Sequence, residues 1–89
     1  MMKDCRKYYI QLGNLYMNEF CGWSANFDDA VLSFQIDAEQ TCKSYNRGFK
    51  KGKDTLAIAI PFEGTEKIPS YIDDEILTVG KAKLILTSR

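Results

Sequence analysis

Lys7-Tyr8-Tyr9-Ile10-Gln11-Leu12-Gly13-Asn14-Leu15-Tyr16-Met17-Asn18-Glu19-Phe20 is the stretch on which the fold turns. Two β-prone runs, 7–12 and 15–20, flank the pair Gly13-Asn14. Both residues of that pair tolerate the positive φ of a two-residue turn, so the sequence predicts an antiparallel hairpin. Tyr8, Ile10 and Leu12 alternate with Tyr9 and Gln11, and Leu15, Met17 and Glu19 alternate with Tyr16, Asn18 and Phe20. One face is then core, while the other displays Tyr and Phe beside amides. Five of the eleven aromatic residues fall between Tyr8 and Trp23, more apolar surface than so small a fold should need. Tyr and Trp bury much area yet keep a polar handle, which suits a contact surface. Tyr9, Tyr16 and Phe20 are therefore candidate partner-binding residues. Trp23 is one too, with the closing of one end of a small core as an equal reading.

Downstream of the hairpin, Cys21 to Asn26 reads as a bend through Gly22, and Asn26-Phe27-Asp28-Asp29 as the start of a short helical turn. In 31–36 the period is two, with Leu32, Phe34 and Ile36 on one side, so a third strand is expected. Asp37 then suits an N-cap, with Glu39 in the first turn and Gln40 placed for a capping-box contact. Ala38, Cys42, Tyr45 and Phe49 make one apolar stripe, Arg47 suits the negative end of the helix dipole, and Gly48 is a stop. A helix over about 38–47 follows.

The run 55–62 reads as a strand with Leu56, Ile58 and Ile60 on its bulky face and Ala57 and Ala59 where a helix approaches closely. Pro61 has no N–H for a ladder, so pairing there should fail or become one-sided. At the end of the chain, 75–79 and 82–87 are expected to form a hairpin across Gly80-Lys81. A short helix from Ser70 or Asp73 through Ile76 is the alternative. The whole predicts an α+β fold: a mainly antiparallel sheet of four to six strands, with one helix across one face in two layers. At 89 residues the chain supports one domain, 1–89, and a modest core.

Composition narrows the chemistry. There is no histidine, which removes the commonest general base, the commonest metal ligand and every Ser-His or Cys-His pair. Cys5, Cys21 and Cys42 lack the paired spacing of a zinc site, and Arg47 to Lys53 lacks the features of a phosphate loop. Asp28-Asp29 and Asp73-Asp74-Glu75 are read as solvated turns rather than as acid–base pairs. No catalytic residue, metal or cofactor is expected. An odd number of cysteines without an apolar leader leads to the expectation of reduced thiols in the cytoplasm. No apolar run approaches the ~20 residues that span a bilayer.

Twelve basic and twelve acidic residues balance to a net charge of zero. Their order is directional: acids at 28–39, bases at 43–53, then mostly acids at 63–75. Arg47, Lys50, Lys51 and Lys53, with Lys43, form the basic block. It is a solvated helix end in the plain reading and a contact for an acidic partner or a nucleic-acid backbone in the functional one. Near-zero charge also favours self-association, for which a free sheet edge at 82–87 is the expected route.

One resemblance adds to this. The aromatic hairpin Tyr8 to Phe20, then Trp23, Asp28-Asp29-Ala30, Phe34 and the helix start Asp37-Ala38-Glu39 resemble in style the small proteins of phages and other mobile elements. Size, missing catalytic residues and cytosolic character are similar to anti-defence proteins such as anti-CRISPRs, which block a nuclease complex by occupying a surface. The resemblance covers about the first half of the chain, and the neutral charge departs from the strongly acidic inhibitors that imitate DNA. It implies a non-enzymatic protein-binding module, host-cytoplasmic if phage-encoded, that acts by steric occlusion on a protein or nucleoprotein partner. The alternatives are a small nucleic-acid-binding protein using 43–53 and a self-associating structural subunit, such as a homodimer.

Overall fold

A computed structural model describes residues 5–47, 56–69, 71–72 and 75–87. The predicted hairpin forms: β1 (Lys7–Leu12) and β2 (Leu15–Met17) pair antiparallel with Leu12 opposite Leu15. Of the two turn residues only Gly13 takes a positive φ, 61°, which fits a type II′ turn led by glycine. β2 ends three residues earlier than its alternation suggests because Asn18 diverts the chain. The Asn18 side-chain oxygen accepts from Phe20 N–H at 2.9 Å and Gly22 N–H at 3.0 Å, and Cys21 takes the left-handed φ of 64°. The turn returns the chain as β3 (Trp23–Ser24), with Met17 opposite Trp23. Phe20 therefore stands on a loop, not in a strand.

Asn26 caps a single 3-10 turn, Phe27–Asp29, by accepting from Asp28 N–H at 3.1 Å. The strand expected over 31–36 shrinks to β4 (Ser33–Phe34), which pairs with the start of β1. Helix α1 (Gln35–Asn46) begins three residues earlier than expected. Asp37 is thus not its cap but a first-turn residue, where a carboxylate still favours the positive dipole end. Phe34 holds the cap position and offers no side-chain hydrogen bond. Of the apolar row Leu32, Phe34 and Ile36, only Leu32 is buried. The stripe along α1 is as predicted for Ala38, Cys42 and Tyr45, while Phe49 and Gly48 lie outside the described residues.

β5 (Ile58–Phe62) runs antiparallel along nearly all of β1, from Gln11 opposite Ile58 to Lys7 opposite Phe62. β1 is therefore central, with β5 on one side and β2 and β4 sharing the other. Pro61 is accommodated because β5 pairs on one side alone among the described strands. Past the end of β5, the buried Thr65 extends the ladder: its hydroxyl accepts from Lys7 N–H at 2.8 Å and donates to Phe62 C=O at 2.6 Å.

The C-terminal hairpin is not formed. Two short strands, β6 (Tyr71–Ile72) and β7 (Glu75–Ile76), pair with each other instead, which also displaces the alternative short helix through Ile76. Val79–Thr87 is a second helix, α2. Its first turn is held by Thr78, whose C=O accepts from Ala82 N–H at 2.9 Å. Burial of Val79 and Ala82, with Ile85 and Leu86 half-buried, follows a helical stripe that wins over the weaker alternation of 82–87. No free strand edge exists at 82–87.

Helix α2 makes the domain three layers deep rather than two. On one face α1 covers Tyr8, Ile10, Met17 and Ala57. On the other, the 3-10 turn and then α2 cover Tyr9, Tyr16 and Phe62, with Leu32, Ile68, Leu77, Val79 and Ala82 as the buried centre. Burying a side chain such as Ile10 contributes about 1.5–3 kcal/mol, so both clusters matter at this size. Among the described residues no helix is long and apolar enough to cross a membrane.

Candidate interaction surface

The expectation that one hairpin face displays its rings meets this second layer. Tyr9, Tyr16, Phe27 and Phe62 form a cluster in edge or tilted contact, with Phe27 centroids 4.9 Å from Tyr9 and 5.0 Å from Tyr16. Tyr9 is 6.0 Å from Tyr16 and Phe62 is 5.9 Å from Phe27. Such pairs add about 0.5–1.5 kcal/mol beyond area burial. Burial pushes the Tyr9 hydroxyl above its ordinary pKa of 10.0, and the neighbouring Tyr16 adds to the rise. Lys83 of α2 closes over the cluster, its ammonium 5.1 Å from the Phe27 ring centre and 2.8 Å from an Asp28 carboxylate oxygen.

Trp23 lies on the opposite face, half-buried, its ring 5.2 Å from Tyr45 in a T-shaped contact. Of the four candidate rings, Phe20 alone is freely displayed, at 83% exposure. The structure therefore brings Tyr9 and Tyr16 together, places Trp23 behind them through the sheet, and leaves Phe20 on the Asn18–Gly22 turn. Arg47 is exposed at the C-cap of α1. Lys50, Lys51 and Lys53 lie outside the described residues.

A surface that the sequence marked only as the bulky face of a strand stands out instead. Leu56 and Ile58 are 48% and 53% exposed, along the row that continues through the half-buried Ile60. Ile58 sits opposite Gln11 at the end of β1 farthest from Phe62. The aromatic cluster reaches the level of Gln11 on the β2 side, through Tyr16, and leaves Ile58 on the β5 side half-exposed. Gln11, the polar member of its row, was the available signal that the face reaches a rim here. Its side chain turns to the hairpin tip and donates to Gly13 C=O at 2.8 Å.

Around the edge of β5 this apolar row meets a shallow, open groove of about 740 Å³ between α1 and β5. Glu39, Lys43, Asn46 and Arg47 line the helix side, and Ala57, Ile58 and Ala59 the strand side. Cys42 contributes to its floor. Burial, and secondarily the Glu39 charge, raise the Cys42 thiol above its ordinary 9.0, so at neutral pH it is protonated and a poor nucleophile. No group of three Cys, Asp or Glu among the described residues is placed to hold a metal ion. What this arrangement offers is aliphatic contact area flanked by two cations, Lys43 and Arg47, and one carboxylate, Glu39. No protein-family model, curated protein or solved structure matches the chain.

Proposed function

We propose that this domain is a non-enzymatic protein-binding module whose contact surface is the β5 rim. Leu56 and Ile58 would supply apolar area, and Lys43 and Arg47 would orient an acidic, apolar surface on the partner. The observation that carries this reading is the half-exposure of Ile58, at the start of edge strand β5, and of Leu56 just before it, side by side at one rim of the sheet. Apolar residues grouped at a rim beside charges are the usual composition of an interface centre and its border. Cations flanking such a patch set orientation and on-rate more than affinity. Within this reading, the likeness to anti-defence proteins makes a host nuclease complex the first partner to try, with occlusion as the mode of action.

The experiment is site-specific photocrosslinking from position 58 in host lysate, followed by titration of the purified crosslinked protein. A discrete acidic partner is expected, with binding weakened at least tenfold by Lys43→Glu/Arg47→Glu. Equal crosslinking from a control position such as Leu84 on α2, or capture of nucleic acid with affinity falling steeply with salt, contradicts the proposal.

A further inference from the structure

β5 has one unpaired side among the described strands, and the register fixes which backbone groups face it. Leu12 and Leu15 flank a two-residue turn and so exchange hydrogen bonds with each other. Alternation then aims the N–H and C=O of Tyr8, Ile10 and Leu12 toward β2 and β4, and those of Lys7, Tyr9 and Gln11 toward β5. Phe62, Ile60 and Ile58 answer the latter set. Ala57, Ala59 and Pro61 therefore turn their backbone groups outward, which is where a proline is tolerated.

One of these outward positions is already occupied. The Asn46 side chain reaches from the last turn of α1, donating to Ala57 C=O at 2.9 Å and accepting from Ala57 N–H at 2.8 Å. A carboxamide can give and take in this way, so it reproduces the two bonds an added strand would make at that residue. Pro61 withholds the donor at the other end. Among the described residues the edge is left with a complete donor–acceptor pair only at Ala59.

We infer that Asn46 is an edge guard that keeps β5 from pairing with β5 of a second copy of this chain. An antiparallel twofold pairing centred on Ala59 would set Ala57 opposite Pro61 of the other copy. With Asn46 in place, Ala57 has no N–H to give, and Pro61 has none at all, so only the central bonds form. With Asn46 removed, Ala57 N–H is free to donate to the Pro61 C=O of the second copy, once on each side of the axis. The same register sets Ile58 beside Ile60 of the other copy on one face, joining the two aliphatic rows. The occupant is therefore a second copy because the edge is complementary to itself in everything but Asn46 and Pro61. Natural sheets block exposed edges by such means.

The test is molar mass by light scattering over rising concentration for the wild type and for Asn46→Ala, with circular dichroism on each. We expect a monomeric wild type and an Asn46→Ala variant whose dimer fraction is at least tenfold higher at equal concentration. Adding Pro61→Val should strengthen the dimer, and adding Ile58→Lys should remove it. An Asn46→Ala protein that keeps its helix signal and stays monomeric overturns the inference, as does a wild type that dimerises equally well. Amide exchange on the wild type gives a test that needs no variant to fold. Ala57 N–H should be protected and Ala59 N–H should exchange freely; equal exchange overturns the guard.

Discussion

Under α1 the sheet meets its helix through small residues: Ala38 and Cys42 from the helix, Ala59 of β5 and Ala57 just before it, with Tyr8 and Ile10 between them. Across the sheet the same strands meet rings and branched aliphatics, with Tyr9, Tyr16 and Phe62 under Phe27, and Leu77, Val79 and Ala82 behind. The difference is one of distance, both in space and along the chain. Close approach by α1 needs small side chains, whereas α2 stands off behind the 3-10 turn and the gap is filled by rings. Tyr9 and Tyr16, which look surplus to a two-layer fold, are consumed by the third layer. Along β5 and the residues leading into it, exposed apolar surface is left where that layer runs out, at Ile58 and Leu56.

The comparison is broken most severely at the centre of the ring-bearing face. Leu77 is fully buried, so Leu77→Ala should cost about 2–5 kcal/mol, read as a lowered denaturant midpoint at unchanged slope. A loss under about 1 kcal/mol would mean that this layer is not tightly packed.

A smaller effect sharpens the contrast by titration, since each face holds an acid whose pKa burial raises: Tyr9 on one, Cys42 on the other. Both folded pKa values lie above the ordinary ones, so the unfolded chain loses its proton first as pH rises. Their stabilisation is complete below the unfolded values of 9.0 for Cys42 and 10.0 for Tyr9 and is lost as pH climbs through the folded ones. Thermal midpoints should therefore fall above about pH 9, and Cys42→Ala should flatten the earlier part of the fall and Tyr9→Phe the later part. A decline unchanged in both variants would place its cause elsewhere.

The legibility of the sequence follows the same division. Local chemistry was readable: Gly13 at the hairpin turn, the stripe of Ala38, Cys42 and Tyr45, the alanines facing α1, and Pro61 on a one-sided strand. What depended on a distant partner was not. The segment Ala82-Lys83-Leu84-Ile85-Leu86 satisfies a period of two as well as a helical one, and only its packing on the 3-10 turn selects the helix. Asp37 carried a convincing cap signal, but pairing of Ser33 and Phe34 with β1 hands the chain to the helix earlier. Of the candidate site, Arg47 was found at the groove by its place at a helix end. Leu56 and Ile58 were missed because alternation tells which face a residue shares, not how far the opposite layer extends along it.

The central claim is that the hairpin tyrosines hold the fold while the β5 rim is free for a partner. The most direct test compares thermal midpoints of Tyr16→Ala and Ile58→Asp in the same buffer. Tyr16→Ala should lose about 2–3 kcal/mol, somewhat below the ~3–5 of a fully buried ring, or roughly 10–20 °C. Ile58→Asp should stay within about 1 kcal/mol of the wild type. A stable Tyr16→Ala beside a collapsed Ile58→Asp would contradict the account, for it would put the tyrosine at the surface and the isoleucine in the core.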